Sequence, residues 1–323
     1  MSLPRRLAIA AVIAAGVGGL AFWYLTAPDR IGAETAAALG AGDATKGERI
    51  FWAGGCTSCH ARPKSEGPAR LELAGGLELK TPFGTFVAPN ISPHPQDGIG
   101  GWSLENFANA MLRGVSPAGE HYYPAFPYSS YTRMQPADIA DLYAFMKTLP
   151  AVEGKAAGHQ LGFPFNIRRG LGLWKRLYLS NEPAIALADG APENARAGQY
   201  LVEGPGHCGE CHTPRQFTGG LKKDQWLAGA VAAEGDGIVP NITSGEGGIG
   251  DWSEGDITNF LETGFTPDFD SVGGAMVEVQ KNIAELTPED RAAIAAYLKA
   301  VPPRPNGYPA RQPTESSRGS VSG

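Results

Sequence analysis

Cysteine is scarce in this chain: four residues in 323, too few for a disulfide scaffold. Charge is modest as well. Charged residues make up 19%, the formal net charge is −6, and no block of Lys or Arg occurs, so nucleic acid is a poor partner. No Gly-rich nucleotide loop and no nucleophile elbow are present. No run of alternating apolar and polar residues reads as a strand, and the class expected is therefore all-α. Methionine numbers five, Met1 included, which leaves few thioethers for any metal. What is plentiful is Gly (44) and Pro (26). Neither shows a collagen-like period, so they imply short helices joined by long, shaped loops. An apolar content of 42% excludes wholesale disorder.

One long apolar run stands at the start. Arg5 and Arg6 precede an uncharged stretch from Leu7 to Pro28 that closes at Asp29. It is long enough to span a bilayer as a helix, and Phe22, Trp23 and Tyr24 fall where an interfacial aromatic belt would sit. Residues 1–29 are read as a single-pass signal-anchor, with the body on the periplasmic face of the inner membrane. The competing reading is a cleaved signal peptide, for which Ala33-Glu34-Thr35-Ala36 is a late small-x-small site. Residues 30–44, rich in Ala and Gly, read as a linker. Residues 303–323, polar and Pro-rich, read as a disordered tail.

The body repeats once. Cys56-Thr57-Ser58-Cys59-His60 recurs as Cys208-Gly209-Glu210-Cys211-His212, 152 residues on. Pro89-Asn90-Ile91 recurs at Pro240-Asn241-Ile242, and Gly98-Ile99-Gly100 with Trp102-Ser103 recurs at Gly248-Ile249-Gly250 with Trp252-Ser253. Lys147-Thr148-Leu149-Pro150 ends the first unit as Lys299-Ala300-Val301-Pro302 ends the second. Four landmarks in one order define two similar domains, 45–150 and 194–302, joined by a linker at 151–193. Within each, Ser103 and Ser253 read as helix N-caps, the latter with Asp256 as a capping box. Pro136 and Pro288 start the last helices.

Cys-x-x-Cys-His is the attachment sequence of c-type haem. Two thiols on one helical turn can each add to one porphyrin vinyl group, and the adjacent imidazole can bind the iron. Cys56, Cys59, His60, Cys208, Cys211 and His212 are accordingly the cofactor residues, for two covalent haems c. A zinc site would want a second ligand pair close by, but no Cys lies between His60 and His94. A thioredoxin-like pair would leave the His unexplained. For the sixth ligands, Met276 follows Gly273-Gly274-Ala275 in what reads as a non-helical stretch ahead of the last helix. In the first unit the equivalent residue is Phe126, which cannot ligate. Met134, before the last helix, is the expected ligand, with His121 or an open position as alternatives. Met111 and Met146 read as core. His94 and His159 read as exposed loop residues. Trp102, Trp252 and Arg215 could pack on the porphyrin or a propionate, or be ordinary packing and surface.

On these motifs the chain resembles the cytochrome c subunits of membrane-associated bacterial quinoprotein dehydrogenases. Thr81-Pro82-Phe83-Gly84-Thr85, Tyr123-Pro124-Ala125 and Gly206-His207-Cys208-Gly209-Glu210-Cys211-His212-Thr213-Pro214-Arg215 carry the likeness over 45–302. The resemblance implies class I cytochrome c domains that pass electrons from a dehydrogenase to a quinone, a cytochrome or a terminal oxidase. Two departures stand out: two haem motifs rather than three, and Phe126 where Met is frequent. The chain is thus expected to be an electron-transfer subunit rather than an enzyme on its own. A dihaem peroxidase or small-anion oxidoreductase with one open haem is the alternative. A non-haem redox or metal protein is a third.

Overall fold

A computed structural model describes residues 2–233 and 237–308. The apolar run folds as α1 (Leu3–Leu25), none of whose residues is buried and which is long and apolar enough to cross a membrane. After it come α2 (Ala33–Ala37), within the expected linker, and α3 (Ala44–Ala53), started by the Asp43 carboxylate accepting the Thr45 amide at 2.9 Å. The motif turn α4 (Cys56–His60) follows. Then come the hairpin β1 (Glu78–Thr81) and β2 (Gly84–Val87), α5 (Leu104–Arg113), α6 (Tyr128–Tyr131) and α7 (Pro136–Met146).

The second half repeats the order. It runs through α9 (Glu193–Glu203), the motif turn α10 (Gly209–His212), β4 (Ala230–Val231) and β5 (Ile238–Val239) to α11 (Glu254–Thr263), α12 (Met276–Ile283) and α13 (Pro288–Ala300). Ser103 caps α5 through the Asn106 amide, Ser253 and Asp256 form the expected capping box of α11, and Thr287 caps α13 with Pro288 in its first turn.

Each half buries its own core because its first and last helices cross on a glycine. A Cβ on Gly47 of α3 would lie 1.9 Å from the Asp141 carbonyl of α7, and one on Gly198 of α9 would lie 1.8 Å from the Ala293 carbonyl of α13. Backbones that close bring the flanking apolar residues into one cluster: Ile50, Phe51, Phe107, Met111, Ile139, Leu142 and Met146 in the first half. Leu201, Val202, Trp226, Leu227, Ile257, Leu261, Ile294 and Tyr297 form the second. Met111 and Met146 are core, as expected.

Three expectations are corrected. The chain is helix-rich but not purely helical: β1, β2 and β3 (Gln160–Leu161) form an antiparallel sheet in the order β1-β2-β3, and β4 pairs with β5. These strands are two to four residues long, too short to show alternation. The 151–193 segment supplies β3 and α8 (Leu171–Tyr178). The first part of the expected disordered tail is pinned: Asn241 Nδ2 donates to the Arg304 carbonyl at 2.9 Å, and the Gly307 amide donates to the Ala228 carbonyl at 2.8 Å. The rest of that tail, 309–323, lies outside the described residues. Finally, Met276 opens a helix, α12, rather than lying in a loop.

Candidate functional site

Each Cys-x-x-Cys-His occupies a single turn whose position is set by a loop closing over its histidine. Cys56 and Cys59 stand three residues apart on α4, with His60 ending the turn. The His60 carbonyl accepts the Gly75 amide at 2.7 Å, and His60 Nδ1 donates to the Pro89 carbonyl at 2.8 Å. In the second half the His212 carbonyl accepts the Gly229 amide at 2.7 Å, and His212 Nδ1 donates to the Pro240 carbonyl at 2.8 Å. Asn90 and Asn241, next in chain, hold these loops shut: their Oδ1 atoms accept the amides of Ser92 and Thr243, both at 2.9 Å.

The sequence reading missed Gly75 and Gly229. Gly75 has φ +73°, and a Cβ there would lie 2.5 Å from the Pro89 carbonyl; Gly229 has φ +81°, and its Cβ would lie 2.6 Å from the Asn241 amide. Only glycine suits both the left-handed backbone and the close approach. The signal was present as the repeated triplet Leu73-Ala74-Gly75 and Leu227-Ala228-Gly229.

This geometry sets the protonation states. Burial lowers the pKa of His60 and His212, against the opposing pull of the proline carbonyls. Each ring is therefore neutral, with its proton on Nδ1 and its lone pair on Nε2. Burial, with Cys59 and Cys211 adjacent, pushes the Cys56 and Cys208 thiols up to about 12. Neutral imidazoles with an oriented Nε2, each beside a pair of thiols on one turn, fit a covalently attached, iron-ligating porphyrin. They do not fit a zinc set: among the described residues no three His, Cys, Asp or Glu side chains could hold one metal ion.

The remaining predicted residues separate clearly. Met134 is buried in the first core, in the turn between α6 and α7, its amide bonded to the Tyr131 carbonyl at 2.9 Å. Met276 packs against the second core. Phe126 packs on Tyr122, Tyr128 and Tyr131. His121 is taken up elsewhere, its Nε2 donating to the Thr26 carbonyl at 2.9 Å, which removes the motive for a second axial histidine. His94 and His159 are partly buried rather than exposed: His94 Nδ1 accepts the Asp97 amide and His159 Nδ1 accepts the Val87 amide, both at 3.1 Å. Arg215 is committed to protein, donating to the Glu210 carboxylate at 2.6 Å and to the Gly219 carbonyl at 2.9 Å. Trp102 and Trp252 are partly buried and pack against the two cores.

Each motif is also braced by the opposite half. Thr57 Oγ1 donates to Asn282 Oδ1 at 2.8 Å, and Asn282 Nδ2 donates to Ser58 Oγ at 3.0 Å. Reciprocally, Ser129 and Ser130 donate to Glu210 Oε1 at 2.8 and 3.0 Å. Ser58 and Glu210 are 152 residues apart, as are Ser130 and Asn282, so the contact is that of a pseudo-two-fold pair. Burial alone would raise the Glu210 pKa. Arg215 and the two serine hydroxyls outweigh it and hold the carboxylate below its ordinary range.

Comparison with known proteins agrees with this construction. The cytochrome c family model matches residues 44–150. A Cereibacter sphaeroides protein named diheme cytochrome c-type is 53% identical over 302 residues, which cover 93% of this chain and 98% of that one. This chain belongs to the cytochrome c family. The cytochrome is also 36% identical over 272 residues to the cytochrome c subunit of a quinone alcohol dehydrogenase from Gluconobacter oxydans, covering 81% of this chain and 55% of that subunit. To the fructose dehydrogenase cytochrome subunit of Gluconobacter japonicus it is 35% identical over 260 residues, covering 80% and 52%. It thus spans about half the length of these dehydrogenase subunits. Their names support electron transfer as the role of this cytochrome, and the family supports haem c as its cofactor.

Proposed function

We propose that this cytochrome is a membrane-anchored dihaem electron carrier with two tandem class I domains, 45–150 and 194–302. It takes electrons from a dehydrogenase outside the cytoplasmic membrane and delivers them to a quinone, a cytochrome or a terminal oxidase. The observation that carries the reading is the recurrence, in both halves, of a Cys-x-x-Cys-His turn with the same His Nδ1 to Pro carbonyl bond at 2.8 Å. Bound haem iron supplies reversible one-electron exchange.

The chain's residues supply the rest. The thiols of Cys56, Cys59, Cys208 and Cys211 would hold the haems as thioethers, each adding S and H across a vinyl group. His60 and His212 present Nε2, with ring orientation and basicity set by the Pro89 and Pro240 carbonyls. Met134 and Met276 would provide the remaining iron ligands. These methionines occupy non-equivalent places in the repeat, since Met276 falls opposite Phe126. The two sites are therefore expected to differ in potential. The reciprocal bonds between Ser58 and Asn282, and between Glu210 and Ser130, keep the two turns in a fixed relation that favours exchange between them.

The test is the optical spectrum of the purified holoprotein, oxidised and reduced, with a pyridine haemochrome count. Two low-spin haems per chain, with the far-red Met–iron band scaled for two, is the expected result. A band worth one haem together with a high-spin component would move the first site to an open one and the function toward a peroxidase or small-anion oxidoreductase. No covalent haem after denaturing electrophoresis would remove the reading altogether.

A further inference from the structure

The 151–193 segment joins the two halves, yet its residues around α8 do more than connect. They grip the end of α1. Arg169 Nε donates to Thr26 Oγ1 at 2.9 Å, its Nη2 donates to the Trp23 carbonyl at 2.6 Å, and its guanidinium lies 4.0 Å from the Trp23 ring centroid. Arg176 Nε donates to the Leu25 carbonyl at 2.6 Å. Gly172 lies so close that a Cβ there would stand 2.5 Å from the Thr26 Cα. Basic side chains thus close the orphan carbonyls at the C-terminal end of α1, where the helix dipole favours them.

A second face of α8 packs on the first half. Lys175 Nζ donates to the carbonyls of Arg113 and Gly114 at 2.6 and 2.7 Å, and Trp174 stacks edge-on with Tyr128. Successive helical residues are about 100° apart, so Leu173 and Leu177 point away from Lys175, on the side next to Gly172 and Arg176. They are exposed, Leu177 by 73%. The loop before α8 adds Phe163 at 81% exposure, with Phe165 and Ile167 also exposed. From Gly154 to Asn181 the chain carries Lys155, Arg168, Arg169, Lys175 and Arg176 and no Asp or Glu.

We infer that Phe163, Phe165, Ile167, Leu173 and Leu177 form a membrane-surface patch that seats on the headgroup and acyl boundary of the bilayer beside the point where α1 leaves it. The inference rests on α1 being a membrane anchor. The occupant follows from three facts: Leu173 and Leu177 lie on the side of α8 opposite Lys175 with the exposed Phe163, Phe165 and Ile167 in the loop just before it, the same helix is bolted to the end of the anchor, and the segment's own charged residues from 154 to 181 are all basic. Exposed apolar residues among cations are what an interfacial segment needs for insertion with attraction to anionic lipid. The patch turns a flexible tether into a fixed orientation of the first half on the membrane.

The experiment uses the full-length holoprotein in nanodiscs of phosphatidylethanolamine and phosphatidylglycerol. Photo-reactive benzoylphenylalanine is placed singly in place of Leu20, Phe163, Leu177 or Phe269, with unchanged haem spectra as the check on folding. Phe269 is the control, being 89% exposed on the second-half loop that matches the His121 loop. Lipid adducts by mass spectrometry at 163 and 177 as well as 20, and none at 269, are the expected result. Adducts at 20 alone would overturn the patch and leave the anchor standing. No adduct at 20 would overturn the anchor and the patch with it. Cross-links at 163 and 177 to a second copy of the chain, or equal lipid labelling at 269, would also overturn the proposal.

Discussion

At the scale of single residues, the iron chemistry of this cytochrome depends on groups that never touch a metal. Pro89 and Pro240 contribute only carbonyls, yet these choose the tautomer of His60 and His212 and so decide which nitrogen can ligate. The proposed thioether donors, Met134 and Met276, are separable by mutation. Met276→Ala is expected to abolish one haem's share of the far-red Met–iron band, make that haem high-spin and lower its potential; Met134→Ala is expected to do the same to the other. Spectropotentiometry of the two variants checks this, and an unchanged band in the Met134 variant would refute the assignment.

A residue-scale pH effect follows from His159. Burial first, then Arg168, lowers its pKa below 6.5, so below pH 6.5 the unfolded chain binds the proton more readily than the folded one. The stability it contributes is present above 6.5 and is lost as pH falls through the folded-state value. The thermal midpoint of the holoprotein is expected to drop on acidification from about pH 7 to about pH 5. His159→Gln is expected to flatten that slope; an identical slope would refute the origin.

At the scale of elements, the crossings of α3 with α7 and α9 with α13 are the structural centre of each half. Both rest on a glycine facing a carbonyl at a distance no Cβ tolerates. Gly198→Val must push α13 off α9 or strain the side chain, and overpacking of this kind costs about 1–3 kcal/mol. A lower guanidinium midpoint at unchanged m-value is the expected outcome. The short sheets act differently. β3 brings the chain after the first half back onto β2, which starts the linker on a fixed path toward α8 instead of leaving it loose.

At the scale of the whole molecule, the two halves are tied by directional bonds as well as by packing. Arg49 meets the Asp290 carboxylate through two nitrogens at 2.8 and 2.6 Å, and Asn282, fully buried, links to Thr57 and Ser58. Asn282→Ala leaves the buried Thr57 hydroxyl without this acceptor, a loss of about 1–3 kcal/mol. Because the lost bonds lie between the halves, the expected signature is two separated unfolding transitions where the parent shows one. Calorimetry of the holoprotein reads this directly, and a single cooperative transition merely shifted downward would show that the halves are held by other contacts.

Sequence alone determined the chemistry-bearing residues, the repeat and the apolar start, because covalent attachment, helix capping and membrane length each demand a particular residue at a particular spacing. Cys56, Cys59 and His60 with their repeats, the Ser253–Asp256 box and the Leu7–Pro28 run are all of that local kind. Only the tertiary structure decided what depends on segments far apart in the chain. It placed Gly75 and Gly229 beside the proline loops, took His121 to Thr26, and folded 151–193 onto the end of α1. It also pinned 303–308 to the second half. Those partners lie tens to hundreds of residues away, and no spacing rule encodes them; they are set by which surfaces the two cores bring within hydrogen-bond reach.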